Sequence, residues 1–249
     1  MLLANPKGNY SFLRGIDPYS AGTVAHEGYE IVHVRFRQPV PLTAGIERIK
    51  RRLAAVERPA QALCGMELRS PQPFSFRGFN EFNASYVRVL RDWGIFHDGV
   101  NPVARTNIAP AIGAPSTPSL YGFSHTAPSL TKAKTFIVAG AGELPEGSLD
   151  VHDVVRRGEI SSDAIQEKAR FVMGLMAGRL RGLEVSWDLV TAVDIYTAHP
   201  ICGILAEDLI RPMGASAIHG VTWHYSRPPI VSIEFEMDMR GCERELVLG

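Results

Sequence analysis

The feature that most restricts what this chain can fold into is an order of hydrophobic patterns that occurs twice. In the first round, residues 29–37 are β-branched and aromatic with partial alternation, which reads as a strand ended by Pro39 and Pro41. Residues 42–56 read as a helix. Thr43 is placed to cap it, Ile46, Ile49, Leu53 and Val56 recur every three or four residues, and Pro59 stops it. Residues 60–68 form a short apolar run suited to a strand. In residues 79–93, Phe79, Phe82, Tyr86, Val89, Leu90 and Trp93 share one helical stripe that Gly94 ends. Strands are then predicted at 102–108 and 119–124, and residues 5–22 are expected to be a loop. The second round has a strand at 135–139, a helix at 162–180, a strand at 189–196 and a short helix at 201–209. It closes with strands at 219–225 and 230–239, the last alternating Val231, Ile233 and Phe235 with Ser232, Glu234 and Glu236. Each half reads β, α, β, α, β, β. The expectation is an α+β chain of two domains, 1–126 and 127–249, each a mixed β-sheet with helices packed on one face. Residue identity between the halves is low, so the repeat is one of pattern. The junction is short and polar, which suits domains packed together.

A length of 249 residues accommodates two small domains. Lys plus Arg and Asp plus Glu are both 26, so the net charge is zero, and a broad electrostatic nucleic-acid binder is excluded. No apolar run approaches membrane-spanning length, and residues 1–14 lack the apolar segment of a signal peptide, so a cytoplasmic protein without a membrane partner is expected. The three cysteines, Cys64, Cys202 and Cys242, lie far apart without CxxC spacing, which argues against both a disulfide framework and a zinc ribbon. There is no HExxH, no glycine-rich phosphate loop and no GxSxG, and Gly140-Ala141-Gly142 reads as a turn. His219 and His224 fall on opposite faces of one predicted strand, a poor geometry for a shared metal. Neither a metal nor a cofactor is expected.

Arg105 is the most suggestive single residue. A strand over 102–108 places Val103, Arg105 and Asn107 on one face and Ala104, Thr106 and Ile108 on the other. An arginine in so apolar a strand is costly unless paired. Two readings are open: a structural ion pair with a neighbouring carboxylate, or a fork that accepts a substrate carboxylate.

Three segments carry a family resemblance: Pro18-Tyr19-Ser20-Ala21-Gly22, Phe79-Asn80-Glu81-Phe82-Asn83-Ala84-Ser85-Tyr86, and Pro102-Val103-Ala104-Arg105-Thr106. In this order they resemble the Rid superfamily of reactive intermediate deaminases, with one residue inserted between Pro102 and Ala104. The second half is similar in outline. Phe136 to Gly140 resembles the family's first strand and turn, with Ala139 in place of Ser, and Ser232 to Glu236 resembles its last, acidic strand. The halves differ in what they keep. His219 is the nearest counterpart of the arginine in the second half, and Tyr121 stands where the first half would carry the acid.

The resemblance implies two Rid-like (chorismate-mutase-like) domains and one composite site between halves, within or between chains. Arg105 would clamp the carboxylate of an enamine or imine, and Glu234 would handle water and protons. Tyr19, Asn83, Thr106, Asn107, Gly140 and His219 would bind substrate. The tandem arrangement most resembles the 2-amino-5-chloromuconate deaminases. That implies hydrolytic release of ammonia from 2-aminomuconate or its 5-chloro analogue, no cofactor, a small-molecule carboxylate as partner, and a homo-oligomer, a trimer by analogy. A second cation for the other carboxylate would come from His219, His224 or Arg227. The alternatives are a chorismatase-like hydrolase and a non-enzymatic binding or regulatory homologue.

Overall fold

Three short strands open the chain, the second of them inside the stretch 5–22 expected to be a loop. The computed structural model describes residues 1–148 and 150–249. The opening strands are β1 (Leu2–Asn5), β2 (Tyr10–Leu13) and β3 (Gly22–Ala25). At four residues each they are too short to declare a period of two. Then come β4 (Tyr29–Pro41), α1 (Leu42–Ala55), β5 (Leu63–Arg69), α2 (Phe76–Asp92), β6 (Ala104–Pro110) and β7 (Ser119–Pro128). The second round holds β8 (Phe136–Gly142), α3 (Ser162–Gly182), β9 (Ala192–Thr197), β10 (Thr222–Arg227), β11 (Glu236–Gly241) and β12 (Arg244–Leu248).

Several expectations are corrected at element ends. β4 runs on through Pro39 and Pro41, because its pairing with β7 is broken by a register shift between Arg35 and Val40, where no ladder bond is asked of Pro39. Thr43 lies inside α1, which starts from Pro41 without a side-chain cap; α2 is capped by Ser75, whose Oγ accepts from the Gly78 amide. The helix expected at 201–209 is a π turn, Leu205–Ile210, running into a 3-10 segment, Arg211–His219. Pro212 and the positive φ of Gly214 (60°) prevent a regular helix there. His219 therefore ends this segment and is not in a strand. The strand expected at 230–239 is β11, which starts at Glu236, after a turn with Ser232 at φ 83°, and not at residue 230.

All twelve strands form one mixed sheet in the order β1-β2-β3-β8-β11-β9-β10-β6-β5-β7-β4-β12. In the first half, β4 pairs antiparallel with β7, β7 antiparallel with β5, and β5 parallel with β6. In the second, β8 pairs antiparallel with β11, β11 antiparallel with β9, and β9 parallel with β10. The order and sense are the same in both, and an antiparallel pair of β10 with β6 joins them. The flanking strands cross over. β1–β3 extend the second half's sheet through β8, and β12 lies parallel to β4 of the first half. The fold is α+β with a large mixed sheet and three α-helices among the described residues.

One apolar core lies under α1 and α2, with Ile49, Leu53, Tyr86 and Leu90 against Met66, Leu68 and Phe123. The other lies under α3, with Val172, Met176 and Leu180 against Val193, Ile195, Met237 and Met239. Two smaller apolar clusters span the halves, one with Phe12, Ile31 and Cys64 beside Cys242 and the other with Phe79 beside Ile230 and Ile233, and a polar group of side chains joins the halves as well. Thr106 Oγ1 (β6) donates to Asp238 Oδ2 (β11) at 2.5 Å, the Tyr196 hydroxyl donates to the same oxygen at 3.0 Å, and the Arg69 guanidinium lies 3.8 Å from the Tyr121 ring centre and 5.6 Å from that of Tyr196. The Asp238 carboxylate is satisfied by the two hydroxyls, while Arg69 rests on the two aromatic rings and leaves Nη2 without a hydrogen-bond partner among the described residues.

His125 in β7 is fully buried, and burial pushes its imidazole down to about 4. Between that value and the ordinary 6.5 the unfolded chain binds the proton and the folded chain does not, so stability falls as pH drops through this window. The expected loss is on the order of 3 kcal/mol between pH 6.5 and pH 4. Chemical denaturation across that range should show it, and His125→Gln should flatten the acid limb. An unchanged slope in the variant would refute this account.

Candidate active site

The site begins with the start of β6. Asn101 Oδ1 accepts from the Val103 amide at 3.0 Å, and its Nδ2 donates to Pro18 O at 2.8 Å. Ser20 N–H reaches Val103 O at 2.9 Å. These bonds hold the Asp17-Pro18-Tyr19 turn against β6, so that the Tyr19 ring centre lies 4.6 Å from the Arg105 guanidinium carbon; Tyr86 of α2 lies 4.7 Å from it. Arg105 is 3% exposed, and its Nη1 is buried without a hydrogen-bond partner among the described residues. The structural ion pair is therefore not what this arginine makes. Aromatic faces partly replace water around the cation, and burial pushes its pKa down. A buried fork with a free donor is a seat for an anion.

Arg105 lines a cavity of about 580 Å³ together with Tyr19, Asn107, Gly140, Arg179 and Glu236. It is composite, and both halves of a single chain supply it. Glu236, at the start of β11, is the buried acid of this cavity; Glu146, also on its wall, is exposed. Burial raises the Glu236 carboxyl well above the usual carboxylate range; Asp238 on the same strand face adds to the rise, and Arg179 and Arg105 oppose it. Among the described residues it forms no ion pair with either arginine. Gly140 is required by close approach: a Cβ there would overlap Glu236 Oε1 and sit 3.0 Å from Thr106 Cγ2.

The strand that carries Glu236 is fixed from behind. Glu143 and Lys168 are both 0% exposed and paired at 3.0 Å. Glu143 also accepts from the Glu234 and Phe235 amides at 2.7 and 3.0 Å, directly before Glu236, and Lys168 Nζ donates to Val155 O at 2.7 Å. This links α3 to the entry of β11.

Of the residues singled out from sequence, Arg105, Tyr19, Asn107 and Gly140 meet in the cavity. Asn107 takes a hydrogen bond from Ser70 Oγ at 3.0 Å and leaves its Nδ2 without a partner. Thr106 points away, toward Asp238, and accepts from the Gly140 amide at 3.1 Å. Asn83 is buried on α2 and does not line the cavity. Glu234 stands outside it, paired with His199 at 2.8 Å, because the turn at Ser232 delays the strand. His219 is exposed on the 3-10 segment, and neither it, His224 nor Arg227 lines the cavity. Sequence reasoning missed Glu236 and Arg179. Glu236 shares the alternation that pointed to Glu234. Arg179 and Lys168 both fall on the apolar stripe of α3, and charges on such a stripe were a usable signal.

Among the described residues, no group of three or more His, Cys, Asp or Glu side chains could hold a metal ion, and no helix is long and apolar enough to cross a membrane. A buried guanidinium with a free donor beside a carboxyl whose pKa burial raises suits an enzyme that binds a carboxylic acid and moves protons on it. The chain belongs to the 2-aminomuconate deaminase CnbZ family, which it matches over residues 2–246. It is 41% identical over 244 residues to a 2-amino-5-chloromuconate deaminase of Comamonas testosteroni, covering 97% of this chain and 96% of that one. A solved chorismatase structure is similar over 89% of this chain and 77% of its own, at 12% identity and a TM-score of 0.46.

Proposed function

We propose that the chain hydrolyses a dienamine carboxylate of the 2-aminomuconate type, with or without a 5-chloro substituent, and releases ammonia. The observation that carries this reading is the placement of Arg105 and Glu236 in one cavity, in a family of deaminases. Arg105 binds the carboxylate next to the amine-bearing carbon through charge-assisted hydrogen bonds, and Tyr19 packs on the guanidinium and closes its outer side.

Glu236 starts protonated. It gives its proton to the enamine carbon next to the amine-bearing one, leaving an iminium and a carboxylate. The carboxylate then takes a proton from water as the oxygen bonds to the iminium carbon. It returns that proton to the nitrogen of the carbinolamine. Finally the carbonyl forms, the C–N bond breaks, ammonia departs, and the hydroxyl proton returns to Glu236. One carboxyl with a raised pKa serves every transfer, because burial makes it a better proton acceptor than an ordinary carboxylate while leaving it able to donate.

The same reading takes the halves as Rid-like domains meeting near residues 126 and 127, a view supported by their common strand order. It also takes the working form as a homo-oligomer in the cytoplasm, with a trimer the first form to test by light scattering.

The test is ammonia release from 2-aminomuconate and its 5-chloro analogue, alongside simple 2-imino acids. Arg105→Met is expected to lower kcat/KM by about 10²–10³-fold, the loss of a buried charge-assisted contact. Wild-type protein that binds these compounds without releasing ammonia would turn the reading toward a binding protein.

A further inference from the structure

The cavity contains a second carboxylate seat, and the chain fills it with one of its own side chains. Arg179 on α3 is 8% exposed. One edge of its guanidinium is anchored: Nη1 donates to Ala139 O at 2.7 Å. The other edge is a fork. Nε and Nη2 donate to the two carboxylate oxygens of Glu146 at 2.6 and 3.1 Å. The Glu146 side chain is 48% exposed, on the segment that follows β8 at the cavity wall. Gly140 ties this seat to the reacting region, since its carbonyl lies 3.4 Å from Arg179 Nη1 and its Cα faces Glu236.

We infer that Arg179 is the specificity residue for the distal carboxylate of a dicarboxylate substrate, and that this carboxylate displaces Glu146 from the fork. The inference rests on the deaminase reading above for its substrate class. A muconate skeleton carries a carboxylate at each end. With Arg105 on the one beside the reacting carbon, the other still has to be neutralised inside the cavity or left in water. Arg14, the remaining arginine on the cavity wall among the described residues, is exposed. Arg179 is buried, oriented by backbone and already in two-pronged contact with a carboxylate, so its geometry is prepared before substrate arrives. The exchange conserves charge, one carboxylate for another. A monocarboxylate cannot make it, and leaves Glu146 in place; discrimination follows from what the wrong substrate fails to displace.

The test uses two unreactive probes that share the diene: muconate, with two carboxylates, and sorbate, with a methyl at the far end. By titration calorimetry the wild type is expected to bind muconate at least about 30-fold more tightly than sorbate, as befits one added charge-assisted fork. Arg179→Gln should bring that ratio to within about 3-fold, with sorbate affinity unmoved. Glu146→Gln, a change on an exposed side chain that leaves the fold intact, should tighten muconate about 3- to 10-fold and leave sorbate alone, because the competitor is gone. An unchanged ratio in a folded Arg179→Gln protein overturns the inference. So does a Glu146→Gln protein whose muconate affinity equals the wild type's. Ammonia release by the wild type separates this from the deaminase reading: release without muconate–sorbate discrimination sinks the assignment of Arg179 and spares the activity.

Discussion

Glu236→Gln lowers kcat/KM for ammonia release by about 10³-fold and, in the same protein, raises resistance to unfolding, the more so the higher the pH. The first effect follows because an amide keeps the shape of the carboxyl but neither gives nor takes the protons of the proposed cycle. The second follows from burial. The folded-state carboxyl sits well above its ordinary value, chiefly through desolvation and then through Asp238. Its contribution to stability is complete below the unfolded value and is lost as pH rises toward the folded one, since the unfolded chain ionises first. Glutamine does not titrate, so the gap between variant and wild type widens as pH rises from the ordinary carboxylate range toward the raised folded-state value. Asp238 is raised in the same direction and stays in the variant, so some slope remains. Thermal unfolding at several pH values, with a steady-state assay on the same preparations, reads both effects. A variant that loses activity and also loses stability at high pH would show that Glu236 is held ionised, contrary to the proton cycle proposed. A gain in stability at the expense of turnover is the usual mark of a group kept for its chemistry.

Lys168→Met is expected to cost about 3–5 kcal/mol, the penalty for leaving a buried charge without its partner. Glu143 and Lys168 are both fully enclosed, and Glu143 also orders the two amides before β11. Burial pushes the Glu143 carboxyl up, and Lys168 with those amides pulls against it, so removing the lysine takes away the largest of the opposing contributions and leaves only the amides. A typical domain is stable by only about 5–15 kcal/mol, so this single change brings the chain close to its limit. The double variant Lys168→Met with Glu143→Gln should recover most of the loss, because the uncompensated charge is gone and the amide oxygen still accepts from one of the two backbone donors. Urea unfolding of both proteins gives the comparison. A cost below about 1 kcal/mol for the single variant would mean that water reaches the pair.

Periodic elements were legible in the sequence. α1, α2 and α3 each bury a stripe that the spacing of Ile46, Tyr86 or Met176 declares, and β6 shows its unusual arginine at once. The deaminase resemblance rested on short motifs around Tyr19, Asn83 and Arg105, and the family match agrees with it. What escaped is non-local or very short. β1–β3 and β12 have four or five residues each, and pairing makes them strands: β1, β2 and β3 with one another and β3 with β8, and β12 with β4. Glu236 and Glu234 are two apart on one alternating run, and the choice between them depends on the turn at Ser232, whose positive φ is set by packing and not by its own preference. Lys168 and Arg179 sit on an apolar stripe where each has a partner distant in sequence, Glu143 and Glu146.

The exchange of flanking strands between the halves bears on how the chain is made. β4 pairs on its outer edge with Arg244–Leu248, a partner synthesised roughly 200 residues later. At about 5–20 residues per second, that partner leaves the ribosome on the order of 10–40 s after β4 does. Throughout that interval the nascent first half carries an open strand edge, the kind that recruits a strand from a neighbouring polypeptide. Arg35 and Arg37 project from that strand and stay exposed in the finished fold. Charged side chains on an open strand disfavour pairing between neighbouring chains.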